Sequence, residues 1–188
     1  EGTIANDIKK RNKQIIEISE SDKKKEKNFV CKMRINPLLK NLGYSQKHYK
    51  YNEALHMGSD NTINPNCRPD YRVLLSETKR GINENEKKYL NTAKILIEAK
   101  YELGDENGKW YGQAVTYARR LCASYILLAN RYKLWIYYSD DNFITSVIIF
   151  ENDWKEIDND KEVLKELKEL IGKHCFRYDK EKRCYVRM

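Results

Sequence analysis

Several things are missing from this chain, and each absence narrows what it can be. No apolar run approaches the ~18 residues of a membrane helix, and the N-terminus lacks the apolar core of a signal peptide. An initiator Met is also absent, so a processed, tagged or excised chain is expected. No Cys-x-x-Cys pair occurs among Cys31, Cys67, Cys122, Cys175 and Cys184. An odd, widely spaced set excludes a secreted disulfide framework and fits reduced cytoplasm. His174, Cys175 and Cys184 offer a corner of a zinc site, but a fourth ligand would have to come from afar. There is no Gly-x-x-x-x-Gly-Lys loop for nucleotide phosphates, which excludes a P-loop motor within the chain. Internal repeats and a convincing domain boundary are likewise absent.

What is present is a basic, globular composition. The 188 residues fit one domain with a core of its own. Hydrophobic residues make up 40% and charged residues 34%, with a net charge of +8. A basic surface favours polyanions through counterion release, which suits nucleic acid. Residues 1–25 are polar and Lys-rich, an expected flexible flank, leaving 26–188 as the single domain.

Periodicity then divides the domain. Residues 26–42 read as a helix with Val30, Met33, Leu38 and Leu42 near one stripe, a kink or break after Asn36 imposed by Pro37, and an end at Gly43. A strand over 49–57 and a turn-rich loop through Asn66 follow. Strands are expected at 71–78 and 93–100, joined by a polar connection, 79–92, long enough for a helical turn. Residues 110–123 form a helix, and 125–129, 133–138 and 144–150 three more strands. A last helix is capped by Asp158 or Asn159, lined by Val163, Leu164, Leu167, Leu170 and Ile171, and ended by Gly172. The tail, with Tyr178 and Tyr185, reads as a small hairpin. Strands flanked by helices in this order predict an α/β fold, a mixed central β-sheet flanked by helices.

The most telling segment is Ile95-Leu96-Ile97-Glu98-Ala99-Lys100. An apolar strand ends in a carboxylate and an amine, groups that are costly to bury unless paired or bound to a metal. Alternation points Glu98 and Lys100 to one face and Ala99 to the other. Asp70 begins an earlier strand-like run that hairpin pairing brings alongside. Cutting a phosphodiester needs an activated water, neutralised phosphate oxygens and help for the leaving oxygen. Mg²⁺ supplies much of this and, as a hard ion, takes oxygen ligands. Asp70, Glu98 and the Ala99 backbone carbonyl are the candidate metal ligands, with Mn²⁺ as a substitute ion. Lys100 is the candidate to orient or deprotonate the water or to stabilise the phosphorane. An isolated Glu-x-Lys is ordinarily a surface ion pair; the apolar strand before it and Asp70 28 residues earlier change that reading.

These residues carry a resemblance. Arg68-Pro69-Asp70, then Ile97-Glu98-Ala99-Lys100, then Gln113-Ala114-Val115-Thr116-Tyr117 resemble the PD-(D/E)XK nuclease superfamily. More narrowly they resemble the N-terminal nuclease domain of type I restriction enzyme motor subunits. Asn36-Pro37-Leu38-Leu39-Lys40-Asn41-Leu42-Gly43-Tyr44 and the strand pair over 125–138 extend the similarity to about residues 26–150. The resemblance implies a restriction-endonuclease-like fold, Mg²⁺ dependence and cleavage of double-stranded DNA. By position it makes Asp70 and Glu98 metal ligands and Lys100 the catalytic lysine. Gln113 and Tyr117 match a Gln-x-x-x-Tyr motif that positions DNA, with Arg120 on the same helical stripe. Glu26 is the nearest candidate for a first-helix carboxylate near the metal. Partners implied are a helicase or motor region and modification and specificity subunits; no membrane is implied.

The competing expectation is a non-catalytic nucleic-acid-binding or subunit-interaction domain of the same fold. His48, His56 and His174 lie in no catalytic spacing. Trp110, Trp135 and Trp154 are expected in the core or against the sheet. Arg119 and Arg131 are candidate phosphate contacts.

Overall fold

In the computed structural model, which describes residues 20–57, 62–64, 67–80, 88–102, 109–139 and 146–188, the chain enters on one helical rod. α1 (Glu20–Lys25) runs into a π-helix (Glu26–Ile35), and that into α2 (Asn36–Asn41). The rod is already helical at Glu20, ahead of the expected boundary at 26; the rest of the expected flank, 1–19, lies outside the described residues. The expected break after Asn36 does not occur. Ile35 and Asn36 both keep helical angles, and the Asn36 N–H donates to the Cys31 carbonyl five residues back. Pro37 falls in the first turn of α2, where its missing N–H costs little. Gly43, at φ +86°, lets the chain turn out of the helix, and the Tyr44 N–H closes the end on the Leu39 carbonyl at 2.9 Å.

The strand expected over 49–57 is two strands, β1 (Tyr49–Tyr51) and β2 (Leu55–Met57). Asn52 breaks it at φ +48°, a conformation Asn tolerates better than most residues. Part of the expected loop, β3 (Thr62–Asn64), pairs back on β2. β4 (Tyr71–Arg80) and β5 (Lys88–Ala99) are longer than expected and form one antiparallel hairpin. The strands take 79–80 and 88–92 of the 79–92 connection expected to have room for a helical turn; its other half, 81–87, lies outside the described residues. α3 (Lys109–Leu121) follows, then β6 (Tyr125–Ala129), β7 (Lys133–Ser139) and β8 (Ser146–Asp153). A short helix, α4 (Trp154–Asn159), precedes α5 (Lys161–Ile171), so the cap of α5 is Asp160 rather than Asp158 or Asn159. β9 (Phe176–Asp179) and β10 (Cys184–Arg187) make the tail hairpin, with Tyr178 opposite Tyr185.

Six strands form a mixed sheet in the order β1-β4-β5-β6-β7-β8. The β5–β6 pair is parallel and the others are antiparallel. α3 makes the crossover between the parallel strands. Alternation sorts the end of β5 between two cores: Ile95, Ile97 and Ala99 join the helical rod, α5 and Phe176, while Leu96 joins Ala114, Ala118 and Leu121 of α3. β6 divides the same way, Leu127 with the first group and Ile126 and Leu128 with the second. A strand covered on both faces buries any polar side chain at its end. Among the described residues no helix is long and apolar enough to cross a membrane.

Candidate active site

The antiparallel register decides what meets at the end of β5. Tyr71 pairs with Ile97, so Asp70, one residue before β4, stands level with Glu98. Both residues alternate away from Tyr71 and Ile97 and so lie on the α3 face of the sheet. The Asp70 carboxylate accepts a hydrogen bond from the Ala99 N–H at 2.7 Å, which ties the two strand ends together. Lys100 follows the last residue of β5, with its N–H donating to the Ala129 carbonyl on β6 at 2.8 Å.

Three carboxylates converge on the Lys100 ammonium. Its Nζ lies 3.3 Å from Glu98 Oε2, 3.8 Å from Asp70 Oδ2 and 3.7 Å from Glu26 Oε2. Glu26 arrives from the first turn of the π-helix. Glu98 is 2% exposed and Lys100 8%. Three negative charges and one positive leave a formal −2 in a region largely closed to water, an arrangement that favours either protons or a further cation. The proton affinities record it. Burial first, then the Asp70 charge, pushes Glu98 up from 4.5 to about 8, against the pull of Lys100. Burial also lifts Glu26 to about 7, and it raises Asp70 despite Lys100 and the Ala99 N–H. For Lys100, burial opposes the charge, but Glu98, Asp70 and Glu26 outweigh it and hold the amine above its ordinary range. With no cation bound, these carboxylates favour the charged amine. Glu98 Oε1 is buried without a hydrogen-bond partner, an acceptor with its lone pairs unused.

α3 borders this cluster. Gln113 Nε2 donates to the Tyr117 hydroxyl at 3.0 Å, and Glu98 and Lys100 both act on the Tyr117 phenol, which burial raises. Arg120, on the same stripe, is half-buried and has no ion pair with the three carboxylates. Trp110 departs from its expected place in the core. It is half-buried at the start of α3, with the Lys100 ammonium 5.0 Å from its ring centre, within cation–π range. Its spacing of three from Gln113 was the available signal, because i and i+3 share a helix face. Trp135 and Trp154 are buried as expected. Arg131 is held by the Tyr101 hydroxyl at 2.9 Å and by Glu102 at 2.7 Å.

Among the described residues no group of three or more His, Cys, Asp and Glu side chains forms a ready-made metal cage; the carboxylates gather around the ammonium instead. The cysteines are all free, and His174 and Cys175 touch each other at 3.6 Å. The donor set nonetheless fits a hard divalent ion: excess negative charge, oxygen ligands only, and one partnerless carboxylate oxygen. Searches against protein-family models, curated proteins and solved structures each find no match for this chain, so its chemistry has to be argued from these side chains.

Proposed function

We propose that this chain is a Mg²⁺-dependent endonuclease domain that cuts DNA, built on a restriction-endonuclease-like sheet and related to the nuclease part of type I restriction enzyme motor subunits. The observation that carries the reading is the convergence of Asp70, Glu98 and Glu26 on Lys100 at one strand end. Asp70 and Glu98, with the Ala99 carbonyl, are the residues to hold Mg²⁺, and Glu26 adds a fourth oxygen source. Bound there, the ion supplies charge neutralisation for the phosphate oxygens and a water of lowered pKa.

The chain's own groups do the rest. Lys100, kept protonated by its neighbours, orients the attacking water and stabilises charge on the phosphorane as the water oxygen bonds to phosphorus and the bridging P–O bond breaks. Glu26, whose proton affinity burial lifts to about 7, is the carboxylate to accept the proton that the water sheds. Gln113 and Tyr117, beside the cluster on α3, and Arg120 on the same helical stripe are the residues to steer the DNA backbone. The net charge of +8 supports a polyanionic substrate.

A binding module without turnover is the second reading, favoured by the carboxylates closing on Lys100 rather than forming a cage. Mg²⁺- or Mn²⁺-dependent nicking of supercoiled plasmid separates the two. Wild type is expected to nick; Asp70→Ala, Glu98→Ala and Lys100→Ala are each expected to lose at least a hundredfold. Equal activity in all three variants refutes the site assignment, and plasmid binding without nicking by wild type selects the binding module.

A further inference from the structure

A cavity of about 400 Å³ opens between the π-helix and β1, beside the carboxylates but separate from them. Its floor is aromatic. Tyr71 is buried, with the rings of Tyr51 and Tyr49 at 4.9 and 5.8 Å from its own. The Tyr71 hydroxyl donates to Asn36 Oδ1 at 2.8 Å, which fixes the amide of a residue that lines the cavity and leaves its NH₂ unused by that bond. The walls are basic: Lys27, Lys32 and Lys50 line the cavity, and none of them has an ion-pair partner among the described residues.

The π-helix makes this wall. Lys27 and Asn36 are nine residues apart, two and a half turns of an α-helix, which would set them on opposite faces. A ladder of i→i+5 bonds has about 4.4 residues per turn, so nine residues are about two turns and the two side chains share a face. Cys31 and Lys32, one wide turn from each, fall on the same stripe. π turns are rare and mostly single, whereas here the run lasts ten residues.

We infer that this cavity binds a nucleoside 5′-phosphate unit, with its base against Tyr51 and its phosphate among Lys27, Lys32 and Lys50. Tyr51 is 39% exposed and offers a ring face for stacking. Asn36 and Gln46 offer amide groups to a base edge. The volume falls within the ~300–1,000 Å³ of small-ligand sites. Glu26 and Lys27 are consecutive on the π-helix, and Asp70 and Tyr71 at the start of β4, so cavity and carboxylates meet at one strand end, on opposite faces of it. Resting on the nuclease reading, the ligand is an unpaired nucleotide of a DNA strand whose neighbouring phosphate lies at Asp70 and Glu98. The preferred substrate is then a duplex with a single-stranded tail or gap rather than a blunt, fully paired one.

The test is fluorescence anisotropy in EDTA, where cleavage plays no part, comparing a labelled blunt duplex with the same duplex carrying a short thymidine tail. The tailed duplex is expected to bind about tenfold tighter, the worth of one or two stacked bases. Tyr51→Ala and the double variant Lys32→Ala/Lys50→Ala, all at solvent-exposed positions, are expected to bring the ratio within twofold. Competition with thymidine 5′-phosphate divides the sources. Displacement of the tail shows that the cavity takes the free nucleotide too, and no displacement restricts it to DNA. Equal affinity for blunt and tailed duplex, or a preference that survives both variants, overturns the inference. Tail preference in a protein that never nicks plasmid keeps the cavity and removes the nuclease reading; nicking without tail preference does the reverse.

Discussion

Glu98→Gln should make the metal-free protein more stable while destroying its proposed activity. Glu98 is 2% exposed, and its carboxyl is displaced from 4.5 to about 8, chiefly by burial. At about 1.4 kcal/mol for each tenfold change in proton affinity, the ionised form costs the folded state at most about 4–5 kcal/mol. Asp70 and Glu26 share that repulsion, and Lys100 loses its nearest partner, 3.3 Å away, when Glu98 is neutral. A net gain of about 1–2 kcal/mol at pH 8 is therefore expected. The sign follows from linkage. A folded-state pKa above the unfolded value means that the native protein binds the proton more tightly, so wild type loses stability as pH rises from 4.5 towards 8. The Gln variant does not titrate there. Its advantage should vanish near pH 4.5, grow through neutrality and level off above pH 8. Urea unfolding in EDTA at pH 5 and pH 8 measures it, and the melting temperature should rise by roughly 3–8 °C at pH 8. A Gln variant less stable than wild type at pH 8 would mean that the contact with Lys100 outweighs the burial of the charge, and the cluster would then be a structural ion network.

Other expectations can be checked on the same samples. Ca²⁺ at about a hundred times its dissociation constant should stabilise wild type by about 2.7 kcal/mol. This is a rise of roughly 5–10 °C in melting temperature, absent in Asp70→Asn; an unchanged wild type removes the metal from the site. Asp160→Ala should cost about 1 kcal/mol in urea unfolding, because Asp160 accepts hydrogen bonds from the Glu162 and Val163 N–H groups at the start of α5. Gly43→Ala should cost about 1–2 kcal/mol, since φ +86° strains any residue with a Cβ and that Cβ would press on Lys173 at 3.4 Å. Full stability in that variant would mean that the helix end re-forms in another conformation.

The sheet was legible where two periodicities coincided. β6 is bounded at 125–129 in both sequence and structure, because a strand buried on both faces must be apolar throughout and turn residues bracket it. Asp70, Glu98 and Lys100 were legible as a set, since alternation and hairpin pairing alone bring them to one face. Strand ends in the β4–β5 hairpin were not. Charged residues such as Lys79, Arg80 and Lys88 read as loop, yet a two-stranded ribbon tolerates them. The π-helix was invisible as well. A stripe scored at 3.6 residues per turn assigns Met33 to the core, whereas it is exposed and Cys31 and Ile35 are buried. Glu26 looked out of register for the same reason: its partner stripe runs at a wider period. Asp160 was missed as a cap because Trp154 and Ile157 form a short helix of their own just before it.

The route by which the cluster assembles follows from where its members sit in the chain. Asp70, Glu98 and Lys100 belong to one hairpin, whose contacts are local and can form early. Glu26 lies 44 residues before Asp70 and joins only when the rod docks. The i→i+5 ladder holding it is the least favourable hydrogen-bonding pattern in the domain, so it should open before the sheet does. On gentle warming the molecule should pass through a state with its six strands intact and the rod frayed back from Glu26. In that state the acidic cluster has lost a carboxylate and the neighbouring cavity has lost its lysine wall. Amide exchange over residues 26–35 would then report both sites failing together.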